Sequence, residues 1–548
     1  MDKSYRPWEP RQSFLLPPSP LDWLPDGHLA YFLLDVVSEL DLSEIEQPIQ
    51  DKDPRGNRPF SPKMLTTLLL YGYCKGVASS RKIEEATYVD VAFRVIAGGT
   101  HPDHVVISEF RRIHLAALER LFLQVLRVCQ KSGLAKLGHV ALDGTKIQGN
   151  ASKHKAMSYD RMLKKESELK AEIEALLKRA EAVDHEEDDR FGKGGRGDEL
   201  PEELRRRESR LQKIQEAKAA LEMEAALTRA LELAEKAERE REKAVKAAAE
   251  RQDAAKLRAA EAEQKARDAA EKAQQKAQER VKQSEDRAEK AKTKARTRKE
   301  KAAARAAQQA LERARRDQEM MERQIGATDA PTEEPPSPGH RTPATAAGDP
   351  EPKAQRNFTD PDSRIMKAKS GFLQGYNAQT AVDSGNQIII AYALTNQSPD
   401  AEHLPPLLRT ILDNCGQVPK RMTADAGYWS EDNAAYAEAA GIDAYIATGR
   451  QKHGAAPESA GEQLQTPPGK ESAAKAEMRA KLATEDGRSV YSRRKVIVEP
   501  PYGQIKEARG FRRFLLRGIE QAKAEWGLIC MTHNLLKLFK ASRAVATV

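Results

Sequence analysis

His139-Val-Ala-Leu-Asp143-Gly144-Thr-Lys146-Ile147 is a short run of β-branched and aliphatic residues that closes on Asp-Gly. The pattern predicts a strand with Asp143 at its C-terminal end, just before a turn. Ligands of α/β sheets gather at the carboxyl ends of strands, so an acid there is placed for chemistry. The competing reading is a turn and nothing more. Arg421-Met-Thr-Ala-Asp425-Ala-Gly-Tyr-Trp-Ser430 repeats the form: a short strand, an acid, a turn, and a serine that caps the helix running to Ala440.

A third acid lies in Tyr491-Ser-Arg493-Arg494-Lys-Val-Ile-Val-Glu499-Pro-Pro-Tyr-Gly-Gln-Ile-Lys506. It stands between the basic cluster Arg493, Arg494, Lys495 and a second run, Lys506, Arg509, Arg512, Arg513. If residues 499–511 are helical, Glu499, Tyr502 or Gly503, and Lys506 share one face. Such an acid can hold a metal ion while its basic neighbours grip a polyanion. Pro500-Pro501 fits only a first helical turn without breaking hydrogen bonds, and Pro500 biases the residues before it away from helix. Glu499 is therefore expected to open a helix or to stand at a kink. Helical spacing does not place the residues before it, Arg494 included.

Upstream, residues 1–27 are proline-rich. Helices are predicted at Leu29–Leu40, at Lys63–Tyr73 with Ser61 as N-cap and Pro62 at the first helical position, at Arg81–Ala97 capped by Ser79 or Ser80 and ended by Gly98-Gly99, and from Ser108 to about Gln130. Helix, glycine-containing turn and a helix opening on Glu-Phe-Arg111-Arg112 fit a helix-turn-helix-like, DNA-binding unit. An ordinary helical bundle with solvated arginines fits equally well. Residues 1–132 are read as this helical N-terminal domain and 133–155 as the first strand of a second domain.

Residues 156–325 differ in kind. No proline intervenes between Pro201 and Pro331, and opposite charges recur four apart, as in Glu242–Lys246, Glu261–Lys265 and Asp268–Lys272. Each pair contributes only about 0.2–0.5 kcal/mol, but with the high alanine content they favour long helix. Leu169, Ile173, Leu176, Leu204, Leu211, Ile214 and Leu221 supply enough apolar surface for a helical hairpin, with the break at 192–201. Beyond Leu233 the seam is mostly alanine, too weak for a firm coiled coil. The stretch reads as a solvent-exposed strut or interaction arm. Residues 326–356, with seven prolines between 327 and 356, read as a disordered linker. Residues 357–548 resume globular sequence: a hairpin over 375–395 with Asp383-Ser-Gly-Asn386 as its turn, a helix from Glu402 to Asn414, a strand at Ala444–Ala447, a polar loop over 449–475, and a final helix at about Gln521–Lys540.

The net charge of +8 and pI near 9.0 favour an anionic partner, nucleic acid first. The mean hydropathy of −0.70 and charged share of 32% are averages over folded segments and a large solvated one. Cys74, Cys129, Cys415 and Cys530 are scattered and form no C-x-x-C, so neither a disulfide framework nor a zinc finger is implied. The N-terminus lacks an apolar signal region, and no apolar run nears the roughly 20 residues that span a bilayer. The expectation is a cytoplasmic protein without a membrane partner, nucleoid-associated when bound to DNA.

Without the charged insertion, the order is strand with Asp143, hairpin, helix, strand with Asp425, helix, strand, loop, and helix with Glu499. That is the order of an RNase H-like mixed sheet with flanking helices, an α/β fold whose geometry is expected to bring the three carboxylates together. Three close carboxylates repel. Two Mg²⁺ ions would neutralise them and clamp an in-line phosphoryl transfer.

Leu142-Asp-Gly-Thr-Lys-Ile147, Asp360-Pro-Asp-Ser-Arg364, Thr423-Ala-Asp-Ala-Gly-Tyr-Trp-Ser430, Val498-Glu-Pro-Pro-Tyr-Gly-Gln-Ile-Lys506, Arg509-Gly-Phe-Arg-Arg-Phe-Leu-Leu-Arg-Gly518 and Trp526 to Leu538 with His533-Asn534 together resemble the DDE transposases of bacterial insertion sequences. The resemblance covers most of 20–155 and 357–540 and includes the habit, in one branch, of a charged helical insertion after the first Asp. It implies Asp143, Asp425 and Glu499 as a catalytic, metal-binding triad using two Mg²⁺, with Mn²⁺ as a substitute. It implies Tyr491, Arg494 and Lys506 as the residues flanking the last acid; Arg494 lies one residue further from Glu499 than the broader pattern has it, and Lys495 fills that slot. Lys146, Arg493, Arg509, Arg512 and Arg513, with Arg111 and Arg112 of the N-terminal unit, are the remaining candidates for DNA contact. The partner implied is double-stranded DNA, as terminal inverted repeats and target, with a homodimer pairing the two ends. A metal-dependent nuclease without strand transfer and a catalytically silent DNA-binding or coiled-coil interaction protein are the alternatives.

Overall fold

The computed structural model describes residues 22–51, 58–191, 202–284, 342–368, 371–449 and 472–546. By its contacts the chain divides into two units, residues 1–226 with 339–548, and residues 227–338.

The first unit opens with helices α1 (Leu29–Glu39), α2 (Ser43–Gln50), α3 (Pro62–Lys75), α4 (Ser80–Val89), α5 (Val91–Ile96), α6 (His104–Ile113) and α7 (Leu115–Lys131). Ser61 caps α3 by accepting from the Met64 amide, and Pro62 takes the first position, where no amide is needed. The helix expected over 81–97 is broken at Asp90. The Asp90 carboxylate accepts from the amides of Ala92 and Phe93 and so restarts the chain as α5. The helix expected from Ser108 begins earlier. Asp103 caps it through the Val105 amide, and it breaks at His114 before α7.

After α7 come β1 (His139–Gln148), β2 (Ala156–Ser158), α8 (Tyr159–Phe191), α9 (Glu202–Ser284), β3 (Gln355–Asn357), β4 (Arg364–Ala368), β5 (Gly371–Asp383), β6 (Ile389–Thr395), α10 (Leu404–Cys415), β7 (Arg421–Ala424), α11 (Glu431–Ala439), β8 (Asp443–Ile446), α12 (Ala473–Ala483), α13 (Glu485–Gly503), a π-helical turn at Gln504–Ala508, and α14 (Ile519–Ala546). Among the described residues the main sheet runs β4-β5-β1-β7-β8, with β6 also on β5. β1 is antiparallel to β5 and parallel to β7, and β7 is parallel to β8. The sheet is mixed, with β1 at its centre.

The N-terminal helices do not have a core of their own. Leu33, Leu68, Leu69 and Phe122 belong to one apolar cluster with Val140, Leu142, Ile389 and Trp526. α14 lies against α3 and α7 and also against β6. Its fit to the sheet is set by polar groups. Asn534 accepts from the Ile389 amide at 2.9 Å and donates to the Ile389 carbonyl at 2.8 Å, as a neighbouring strand would. Trp526, fully buried, donates its indole N–H to Gln379 O. Burying such a side chain contributes about 1.5–3 kcal/mol.

The excursion between β2 and β3 starts and ends as one ribbon, with Ala156 opposite Asn357 and Ser158 opposite Gln355. Met162 and Leu169 of α8 pack on Ile214, Ala217 and Leu221 of α9 and on Ala354, so the first part of the charged segment is a helical hairpin. The break at 192–201 and the stretches 285–341 and 450–471 lie outside the described residues. Residues 342–356, expected as the end of a disordered linker, are ordered. Thr342 is buried and donates to Glu224 at 2.6 Å, and Ala344 bridges Pro350. Glu224, on α9, is also paired with Arg356 and Arg364. Proline content alone predicted disorder there because these partners lie more than a hundred residues upstream. Residues 472–475, expected in a loop, are the cap and start of α12, with Ser472 accepting from the Lys475 amide.

In the second unit the described residues continue α9 to Ser284. Leu227, Leu233 and Val245 are exposed there, in keeping with a solvated helix.

Candidate active site at two parallel strands

Asp143 is not followed by a turn. β1 runs on for five more residues to Gln148, because β5 supplies a partner for each of them, Gly144 opposite Gln379 and Lys146 opposite Asn377. What ends near Asp143 is the pairing with β7. The parallel register ends with Ala141 opposite Thr423; two residues further along each chain stand Asp143 and Asp425, near enough for the Asp425 charge to act on the Asp143 carboxyl. Asp425 leaves the strand as the cap of a short 3-10 turn, accepting from the Gly427 amide at 2.9 Å. Asp143 accepts from its neighbour's amide, Gly144 N–H, at 3.0 Å.

Burial pushes the Asp143 carboxyl up, the Arg494 guanidinium pulls it back, and the Asp425 and Asp400 carboxylates push again, leaving it at about 7. Arg494 Nη1 stands 3.6 Å from Asp143 Oδ1, with both side chains largely buried. The guanidinium also lies over the Tyr491 ring, 6.0 Å from its centroid. Lys495, in the slot the broader family pattern assigns to arginine, is exposed.

Arg494 reaches Asp143 because α13 is continuous through this stretch. Tyr491, Arg494, Val498 and Tyr502 recur three, four and four residues apart and form one face against the sheet. Val498 is buried. Tyr502 donates its hydroxyl to Asp143 O at 2.7 Å and lies 2.7 Å from the hydroxyl of Thr380, the cross-strand partner of Asp143. Glu499 is therefore not at a helix start. It is fourteen residues into a helix that contains Pro500 and Pro501 and passes directly into the π-helical turn. Tertiary packing of the Ile497–Val498–Pro501 side outweighs the local bias of proline. Being one residue past buried Val498, Glu499 is exposed. Among the described residues no three His, Cys, Asp or Glu side chains are gathered closely enough to hold a metal ion. Of the three acids expected together, Asp425 lies near enough to act on Asp143, while Glu499 is exposed on α13.

The acid that sequence reasoning missed is Asp400, between β6 and α10. Its Oδ1 accepts from Asn377 and Gln379, each at 2.7 Å, and lies 3.4 Å from Lys146 Nζ. It ends no strand and opens no long helix, so no spacing pattern marks it.

The basic candidates separate into two kinds. Arg111 is buried, donating to Ala78 O at 2.7 Å and lying 3.4 Å from Tyr73 Oη. Arg509 is buried too, donating to Thr532 Oγ1 at 2.8 Å and Ile529 O at 3.1 Å. Neither is presented to a ligand. Their charges are internal because α14 closes over them, and the buried Glu525 carboxylate stands beside Arg111 while receiving the amides of Leu515 and Leu516. Lys506 Nζ is tied to β1, donating to Lys146 O at 2.9 Å and to Thr145 Oγ1. Lys146 donates to Ser398 O at 2.8 Å. Arg493 and Arg513 are exposed, and Arg112 and Arg512, also exposed, pair with Glu109 and Glu507.

A transposase DDE domain model matches residues 327–535, and a second transposase domain model, DUF772, matches residues 19–112. The chain belongs to the DDE transposase family. The first match takes in Asp425 and Glu499, and the second takes in α1 to α5 and most of α6. Neither the curated proteins nor the solved structures hold a significant match. As a family member the chain is a DNA transposase, an enzyme whose substrate is DNA, and transposases of this family normally use divalent metal ions. Among the described residues no helix of the transposase is long and apolar enough to cross a membrane.

The donor set of the transposase fits such an ion in part. Asp143 and Asp425 offer hard carboxylate oxygens that repel each other, the condition a divalent cation relieves. Glu499 stands on the neighbouring helix, one turn before Tyr502.

Proposed function

We propose that this transposase binds the ends of an insertion sequence and cleaves and joins DNA there through Asp143, Asp425 and Glu499, with Mg²⁺ as the metal and Mn²⁺ as its substitute. The closeness of Asp143 and Asp425 just beyond the paired part of β1 and β7, with Arg494 against Asp143, carries the reading. The strand order and directions support an RNase H-like catalytic sheet, which the excursion between β2 and β3 interrupts. Asp143 and Asp425 would hold the ions, and Glu499 would complete the set by swinging in from α13 when ions and DNA are bound. Bound there, divalent ions would activate the attacking oxygen and stabilise the leaving oxygen.

The chain's own groups do the rest. Tyr502 fixes the backbone of Asp143 through its hydroxyl. Arg494 holds positive charge against Asp143 and is placed to meet a phosphate. Lys506 braces the strand just beyond the acid. The exposed Arg493, Lys495 and Arg513 are set to bind the phosphate backbone, which fixes register without reading sequence. Transfer of two element ends calls for two active sites, so the working form is a homodimer.

The test uses linear DNA carrying the element ends, with Mg²⁺ or Mn²⁺. Site-specific 3′-end cleavage and joining to a second duplex are expected. Asp143→Ala, Asp425→Ala and Glu499→Ala should each cut the rate at least about a hundredfold. Parent-level activity in all three removes the triad, and cleavage without joining makes the protein a nuclease of the same chemistry.

A further inference from the structure

Asp143 within β1 and Asp425 just after β7 are each followed within two residues by a glycine, Gly144 and Gly427. A Cβ at Gly144 would stand 2.8 Å from Asp400 Oδ1 and 2.5 Å from Gln379 Nε2. A Cβ at Gly427 would stand 3.0 Å from Asp400 Oδ2 and 3.0 Å from Asp425 Oδ1. Neither glycine has a positive φ, so neither is required by its backbone conformation. What both leave open is room for one carboxylate, and that carboxylate is Asp400. The Asp400 and Asp425 oxygens that flank Gly427 are, by the same distances, no further apart than twice 3.0 Å.

Asp400 is also the hub of a hydrogen-bond network. Gln379 donates to it and in turn accepts from Tyr428, which ends the short turn carrying Asp425. Asn377 donates to it through Nδ2, while the Oδ1 of this fully buried amide has no hydrogen-bond partner. Lys146, three residues past Asp143, meets the same Asp400 oxygen. The network therefore connects β1, β5 and the loop after β7 through one side chain.

We propose that Asp400 is a positioning residue of the active centre, a carboxylate seated in the space left by Gly144 and Gly427 that fixes the Asp143–Asp425 pair for a divalent cation. Its charge adds to the field that attracts the cation, and its hydrogen bonds hold the Asp425 turn and Lys146 in place. The proposal rests on the reading of Asp143 and Asp425 as metal-binding acids. A brace of this kind around a metal site is worth about 10–100-fold in metal affinity.

The experiment uses full-length protein and Mn²⁺ alone as probe, its binding followed by the electron paramagnetic resonance of free Mn²⁺, beside Mg²⁺ titrations of DNA cleavage. Asp400→Asn keeps an acceptor for the two amides and removes the charge. It should weaken Mn²⁺ binding and raise the Mg²⁺ half-saturation concentration about tenfold, with melting temperature unchanged and cleavage recovered at high Mg²⁺. Asp400→Ala should also lose cleavage rate at saturating Mg²⁺, and Glu402→Gln, on the exposed neighbour, should behave as the parent. Parent-level Mn²⁺ affinity in both Asp400 variants, with Asp143→Ala and Asp425→Ala deficient, overturns the role of Asp400 alone. A fall in melting temperature that accounts for the whole loss of activity, with metal dependence unmoved, overturns it as well. Parent-level Mn²⁺ affinity in Asp143→Ala and Asp425→Ala overturns the reading of the site itself.

Discussion

Arg494 holds its guanidinium 3.6 Å from Asp143 Oδ1 inside the protein. The pairing places a cation where the proposed metal chemistry needs one, and it governs when Asp143 ionises. In the unfolded chain the carboxyl releases its proton near the ordinary 3.8; in the folded protein it holds it to about 7. Between these values the unfolded state has lost a proton that the native state keeps, so stability falls as pH rises from about 4 to about 7 and is level above. The metal-free protein should therefore melt several degrees lower at pH 8 than at pH 5 through this group, and Asp143→Asn should flatten the difference. Melting curves across pH check it. Arg494→Gln removes the pull downward, so the rise of cleavage rate with pH should shift upward by roughly one unit.

Arg111 and Arg509 should matter for folding rather than for DNA. Arg111 is buried beside the Glu525 carboxylate, and removing one partner of a buried charge pair costs about 3–5 kcal/mol. Arg509 is buried against neutral acceptors, and each acceptor left unpaired costs about 1–3 kcal/mol. Chemical denaturation of Arg111→Ala and Arg509→Ala should show losses on those scales, while the folded fraction keeps the parent's salt dependence of DNA affinity. Arg493→Ala and Arg513→Ala, at exposed positions, should leave stability nearly unchanged and each reduce the slope of log affinity against log salt by about 0.9.

Glu224 closes the root of the excursion by pairing with Arg356 and Arg364 and accepting from Thr342. Glu224→Ala leaves two guanidinium groups facing each other, so a loss of about 2–4 kcal/mol is expected. Protease cleavage within 342–357 should become faster in the variant, and hydrogen exchange there should report the same opening.

Pro500 withholds one helical hydrogen bond just after Glu499. Pro500→Ala restores the donor, so the melting temperature should rise slightly. The same change re-phases Glu499 against Lys506 across the π-helical turn, and cleavage should fall at least about tenfold. Equal activity in the variant would separate the helix geometry from the reaction.

Local sequence foretold those parts of the fold that depend on local physics. The Ser61 and Ser430 caps, the 375–395 hairpin and the short strand before Asp425 are set by residues within a few positions of one another, and they form where expected. The site was readable only in part, for the same reason. Asp425 stands at a strand end as read, whereas Asp143 is singled out by an Asp-Gly turn signal although its strand runs on past it. Arg111 and Arg509 read as free surface cations because the helix that buries them, α14, lies far along the chain. Glu499 was expected at a helix start because proline bias is local, whereas the apolar face that carries α13 through Pro500 packs on a distant sheet. Asp400 had no signal of its own. The nearest clue was the pair of glycines after the two aspartates, which read as turn punctuation until the occupant of their space was known.

The central strand of the sheet is also the one that waits. β1 is complete at Gln148, but its antiparallel partner β5 ends at Asp383, after the whole excursion between β2 and β3. At about 5–20 residues per second of synthesis, roughly 10–50 seconds separate the emergence of the two strands. For that interval Val140, Ala141, Leu142 and Ile147, all buried in the finished protein, have no sheet to enter. The helical hairpin of α8 and α9, which needs only its own neighbours, can form meanwhile. The rate at which active enzyme accumulates in a cell would then be set less by translation of the catalytic residues than by how safely one apolar strand is kept until its partner arrives.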